Sequence, residues 1–231
     1  MLNKESFPAL KKAYKQLTGC RRRIKYHNAR VVHDHKLIFI HIPKAAGSSI
    51  TNTLNQLPRD TENLSPKIGK HAKAWEVRFL LGHEIWDQYF SFAFVRNPWD
   101  LMVSSYHWWL QKAVNMPQYS KHVRRIQNMG SFYEFMHSVY GQKMINERHG
   151  GLYDWISDPK TGELLVDFVG KVEQIEEDWQ EICKRANINA AQIGHDNRTD
   201  RSNYREYYDD ETKKIVARRF RRTIEKFGYE F

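Results

Sequence analysis

Two stretches carry side chains suited to holding anions. In LIFIHIPKAAGSSI, Leu37 to Ile50, an apolar run stops at Pro43 and gives way to Lys44, three small residues and two hydroxyls. In FAFVRNPWDLMVSSY, Arg96 stands where a second apolar run ends; Ser104 lies eight residues on, with Ser105 an equally polar neighbour. Backbone N–H groups at a helix start are unpaired and sit at the positive end of the dipole, so a strand that ends in small residues before a helix makes an anion cradle. Ala45, Ala46, Gly47, Ser48 and Ser49 suit that role. Small side chains let oxygens approach the backbone, Gly47 is expected to allow a turn closed to other residues, and both serines can donate hydroxyl hydrogen bonds. Lys44 adds a point charge, and Arg96 can fork around a phosphate. A Walker A loop, GxxxxGK[ST], is a poor match because Lys44 precedes Gly47 by three residues.

These residues need strands and helices to position them. Leu37 to Ile42 and Ser91 to Val95 read as strands buried on both faces. A helix should follow the first from about Ser48. Asn97-Pro98 reads as an N-cap and first helical residue, opening a helix to roughly Lys112. Residues 73–81 are expected to be helical, and Ser131 with Glu134 is a capping-box pattern opening SFYEFMHSVY. A third strand is expected over Leu164 to Val169, a helix over about Glu173 to Arg185, and a last helix capped by Asp209 or Asp210, with the stripe Val216, Phe220, Ile224, Phe227. Strands alternating with helices predict an α/β fold with a central parallel sheet flanked by helices.

The 231 residues fit one α/β domain, and 41% hydrophobic content can build its core. A net charge of +10 favours anionic partners without choosing among them. Cys20 and Cys183 have neither disulfide-framework nor zinc spacing, and Cys183 falls on the helical stripe Ile175, Trp179, Ile182. No metal site is expected. The first 30 residues lack an apolar leader pattern, and no run of about 18 apolar residues occurs, so a cytoplasmic chain without a membrane span is expected. Oligomeric state is not legible.

The ordered set IFIHIPKAAGSSI, KHAKAWEV, FAFVRNPWDLMVSSY, DFVGKVEQIEEDWQEIC, RSNYREYYDDETKKIV and FGYEF resembles the carbohydrate-type sulfotransferases, relatives of the heparan sulfate 2-O- and chondroitin/HNK-1 enzymes, in a soluble bacterial form. The resemblance covers residues from about 36 to 231 and implies one sulfotransferase domain after a basic N-terminal extension over 1–35. It further implies a three-layer fold akin to P-loop kinases and the donor 3′-phosphoadenosine 5′-phosphosulfate, with no metal needed. Lys44, Ala46, Gly47, Ser48 and Ser49 match the loop that holds the 5′-phosphosulfate. Arg96 and Ser104 match the pair on the 3′-phosphate, which selects Ser104 over Ser105. Arg201, Ser202 and Tyr204 fall in a segment similar to the C-terminal loop that completes the pocket. Relatives commonly carry Thr at the positions of Ala45 and Ser48.

Sulfuryl transfer needs a stabiliser of the leaving charge, an in-line acceptor and a group to take its proton. Lys44 suits the first role and a histidine the last. His41 lies inside a strand and reads as a packed residue. His71 and His83 both fall between the two anion segments. The resemblance favours His71, whose Lys70-His71-Ala72 setting recurs in relatives, and Lys70 and Lys73 should keep it neutral. The expected acceptor is a hydroxyl compound, a carbohydrate by the resemblance, not nucleic acid. Trp99, Trp108 and Trp109 could stack on its ring, although Trp clusters more often form core. Two alternatives are a P-loop-like kinase or hydrolase, opposed by the missing GK[ST] and the lack of an obvious Mg²⁺-holding Asp, and a basic nucleic-acid-binding domain using the arginine-rich last helix.

Overall fold

The computed structural model describes residues 30–58, 68–143, 151–189, 192–194 and 200–231. The expected helix and connector near the N-terminus, with Cys20, lie outside these residues.

A four-stranded sheet of order β1-β2-β3-β4 organises the fold: β1 is Val31–Val32, β2 Leu37–Ile40, β3 Phe90–Val95 and β4 Phe168–Lys171. The β2–β3 and β3–β4 pairs are parallel. The sheet is nevertheless mixed, because β1 pairs antiparallel with β2. A 3₁₀ turn at His33–His35 ending on Lys36, at φ 48°, closes that hairpin, and a two-residue strand leaves no period to read in the sequence. β2 is buried throughout and β3 from Ser91 onward, as expected for strands covered on both faces.

The third strand forms later than the sequence predicts. Leu164 only bridges Ser157 and is exposed. The Asp167 carboxylate accepts from the N–H and the hydroxyl of Ser91, each at 2.7 Å, so ladder pairing starts only at Phe168. Gly170 lies opposite Phe94, where a Cβ would come within 2.6 Å of the ring. Glycine is therefore required by the close approach of neighbouring strands.

The helices are α1 (Gly47–Asn55), α2 (Ala74–Leu81), α3 (His83–Gln88), α4 (Pro98–Gln111), α5 (Ser120–Gln127), α6 (Phe132–His137), α7 (Val139–Lys143), α8 (Ile175–Arg185), α9 (Asp210–Arg219) and α10 (Arg221–Phe227). Asn97 caps α4 as expected, its side-chain oxygen accepting from Trp99 and Asp100 N–H. Ser131 accepts from Glu134 N–H, and that helix is interrupted at Ser138. The expected single last helix is two, broken at Phe220 (φ −104°, ψ 16°). The break accompanies burial of Phe220 and of Thr223, whose hydroxyl accepts from Tyr153 N–H. Cys183 packs against the core as its stripe suggests.

The start of α4, which carries the second anion segment, is held from three directions. Asn97 N–H donates to Glu173 at 2.6 Å, the Asn97 amide donates to Glu230 C=O, and the Trp99 indole N–H donates to Lys213 C=O. Trp99 also meets the Phe231 ring edge-on at 5.7 Å. Among the described residues, no helix is long and apolar enough to cross a membrane.

Candidate active site

β2 and β3 run parallel, so both anion segments leave the sheet at the same edge, where open α/β sheets bind ligands. After β2 the loop turns at Lys44 (φ 65°) and Ala46 (φ 55°), both left-handed and neither glycine. Non-glycine residues hold such conformations only when their surroundings impose them, and they cluster at functional sites. Gly47 has a different role from the one its sequence suggests. It is absent from the positive-φ positions, yet a Cβ on it would fall 2.1 Å from the His41 ring. Glycine is needed for contact and not for the turn. α1 then opens at Ala46 with no side chain capping its N–H groups. Ser49 is buried and Ser48 half-buried beside them.

Three cations converge on this loop. Burial, then repulsion from Arg96 and Arg201, lowers the Lys44 pKa to about 7. The Trp108 ring lies under its ammonium, 5.1 Å from Nζ to ring centroid, and offsets part of that cost. Arg96 donates to Lys44 C=O at 3.2 Å and to Ser104 Oγ at 3.0 Å. Ser104, not Ser105, is thus the hydroxyl that meets Arg96. The remaining Arg96 donors go to Asp100 at 2.7 and 2.6 Å, and Arg201 binds the other oxygen of the same carboxylate. Two arginines share one carboxylate and Lys44 adds a third cation, leaving a positive site. Ser202 is exposed next to Arg201. Gln111, at the end of α4, holds this loop by accepting from Asp200 N–H and donating to Asp200 C=O.

Asp100 and Gln111 escape a reading of the sequence. Asp100 left a faint signal, since it lies four residues after Arg96 on a helical spacing. Its second partner, 101 residues away, left none.

The histidines separate. His41 is 4% exposed, as a packed residue, and its ring meets that of His71 edge-on at 4.8 Å. Burial, then the charges of His71, Lys70 and Arg30, lowers its pKa to about 3, so it is neutral at pH 7. His71 donates from Nδ1 to His41 C=O at 3.2 Å. A carbonyl can only accept, so Nδ1 carries the proton and Nε2 keeps the lone pair of the neutral ring. Burial lowers the His71 pKa, the His41 carbonyl bond opposes that shift, and Lys70 and Arg30 reinforce it. Arg30 supplies the effect expected from Lys73. His83 is exposed and pairs with Arg78 at 3.2 Å. The contacts of His71 lead through His41 to Gly47; those of His83 stay with the side chains of α2.

Among the described residues, no group of three or more His, Cys, Asp or Glu side chains is arranged to hold a metal ion.

A mostly parallel α/β sheet with a strained small-residue loop, an uncapped helix start and converging basic side chains presents a positively charged site at the sheet edge. Residues 27–230 match the Sulfotransferase family, and the chain belongs to it. It is 30% identical over 116 residues to an uncharacterized protein of Archaeoglobus fulgidus, an alignment covering 50% of this chain and 82% of the relative. No solved structure matches it.

Proposed function

We propose that the chain transfers the sulfuryl group of 3′-phosphoadenosine 5′-phosphosulfate in line to a carbohydrate hydroxyl. The observation carrying this reading is the convergence of Lys44, Arg96 and Arg201 beside the open start of α1, with Asp100 as the counter-ion shared by the two arginines. A donor with anions at both its 3′ and 5′ positions fits such a set. The Ala46 to Ser49 backbone, both serine hydroxyls and Lys44 would hold the 5′ group, while Arg96, Ser104, Arg201 and Ser202 would hold the 3′-phosphate.

The donor supplies an activated sulfuryl group, whose bond to the phosphate oxygen breaks as the bond to the acceptor oxygen forms. Lys44 balances the charge left on that phosphate oxygen. His71 Nε2 takes the acceptor's proton, with the His41 carbonyl fixing tautomer and ring orientation.

Calorimetry with two nucleotides tests the reading. 3′-Phosphoadenosine 5′-phosphate should bind at least about tenfold better than 5′-AMP, because charge-assisted hydrogen bonds contribute roughly 1.5–3 kcal/mol each. Arg96→Ala should erase most of the preference. Equal affinities in the unaltered protein would remove the basis for a 3′-phosphate site.

A further inference from the structure

A base alone does not hold an acceptor, which also needs a surface to rest on. Trp99 and Trp109 are buried core side chains, 6% and 5% exposed. Trp108 is only half-buried, and its face lies at the very lysine assigned to the leaving group. Packing fixes the ring, which meets Trp109 edge-on at 5.1 Å and Tyr119 at 5.8 Å.

Its place on α4 points the same way. Ser104, Trp108 and Gln111 are spaced by four and three residues, which puts them on one face of the helix. Ser104 meets Arg96, Trp108 meets Lys44 and Gln111 meets the backbone of Asp200. The face therefore lines the space between the Lys44 loop and the Arg201 loop. Trp108 sits one turn beyond the Arg96–Ser104 pair, on the reacting side.

We infer that Trp108 is the acceptor platform, on which a pyranoside lays its C–H face while turning a hydroxyl toward Lys44. A flat apolar surface beside a cation suits a ring with an apolar face and a hydroxylated rim. The Lys44 ammonium lies over the indole. Once Lys44 turns to the donor the indole is uncovered, so the acceptor docks after the nucleotide. The inference rests on the sulfotransferase reading, and the experiment separates the two.

Transfer from labelled donor by the full chain is measured to methyl pyranosides of hexoses, aminohexoses and hexuronic acids, with 2-naphthol and 1-hexanol alongside. Trp108→Ala should raise the pyranoside KM at least about tenfold, and Trp108→Phe, which keeps a ring, less than about threefold. Affinity for 3′-phosphoadenosine 5′-phosphate, which also reports that each variant is folded, should change less than about threefold. The pyranosides should give binding heat only when that nucleotide is present. An unchanged pyranoside KM in Trp108→Ala overturns the inference. So does a wild-type protein that binds the nucleotide but sulfates no pyranoside. A wild-type protein that does not bind the nucleotide instead removes the sulfotransferase reading on which the platform depends.

Discussion

Lys44 combines an unusual environment with a proposed role that needs its charge. With a pKa lowered to about 7, the side chain is only partly protonated in neutral solution. A bound anion favours the charged form and raises that pKa. Nucleotide binding above pH 7 should therefore take up close to one proton. Affinity for 3′-phosphoadenosine 5′-phosphate should fall as pH rises from 7 toward about 9, by at most about tenfold per unit. Calorimetry in buffers of differing ionisation heat counts that proton, and Lys44→Arg, which stays charged, should abolish the uptake. Lys44→Ala should slow the chemical step by roughly 10²–10³. His71 is the opposite case, since the proposed base must be neutral. Its lowered pKa puts the acid limb of turnover below the ordinary imidazole value of 6.5. His71→Ala should reduce turnover by about 10²–10⁴ and leave nucleotide affinity nearly unchanged. His83→Ala should leave both intact, and loss of activity in that variant alone would move the base to α3.

At the scale of elements, α4 is the part that joins the site. Its first turn carries Asp100, which ties the end of β3 through Arg96 to the C-terminal loop through Arg201. All three side chains are largely buried, with 16%, 18% and 13% of Arg96, Asp100 and Arg201 exposed. Asp100→Asn keeps the shape but removes the charge, so it should cost about 1.5–3 kcal/mol in a urea melt and speed hydrogen exchange over residues 200–208. Asp210→Asn makes the contrast: its ion pair with Lys213 leaves Asp210 90% exposed, so the change should cost less than about 1 kcal/mol. If the two substitutions cost the same, Asp100 is not the tie between these elements.

For the whole molecule, the sheet decides whether the two anion segments face one another at all. Parallel pairing of β2 with β3 brings Lys44 and Arg96 to the same edge, and β4 holds β3 from the other side. The tightest point of that second pairing is Gly170 against Phe94. Gly170→Ala should force the strands apart and destabilise the fold by about 1–3 kcal/mol. A thermal melt unchanged from wild type would show that the Phe94 ring can move aside.

Local chemistry was legible in the sequence. The β-branched and aromatic runs of β2 and β3, the Asn97-Pro98 start of α4, an Asp cap at 209 or 210, of which the structure uses Asp209, and the small-residue loop after Lys44 are each written in a few neighbouring residues, because backbone preference and capping act over one or two turns. Tertiary structure decided whatever depends on partners distant in the chain. It brought Ser104, which the resemblance had selected and the local residues had not, onto Arg96, and distinguished Trp108 from two core tryptophans. It also assigned Gly47 to clearance for His41 rather than to a turn, delayed β4 until after Asp167, and broke the last helix at Phe220. None of these leaves a periodic trace, since each arises when packing brings together residues that the sequence keeps apart; Asp100 joined to Arg201 across 101 residues is the extreme case.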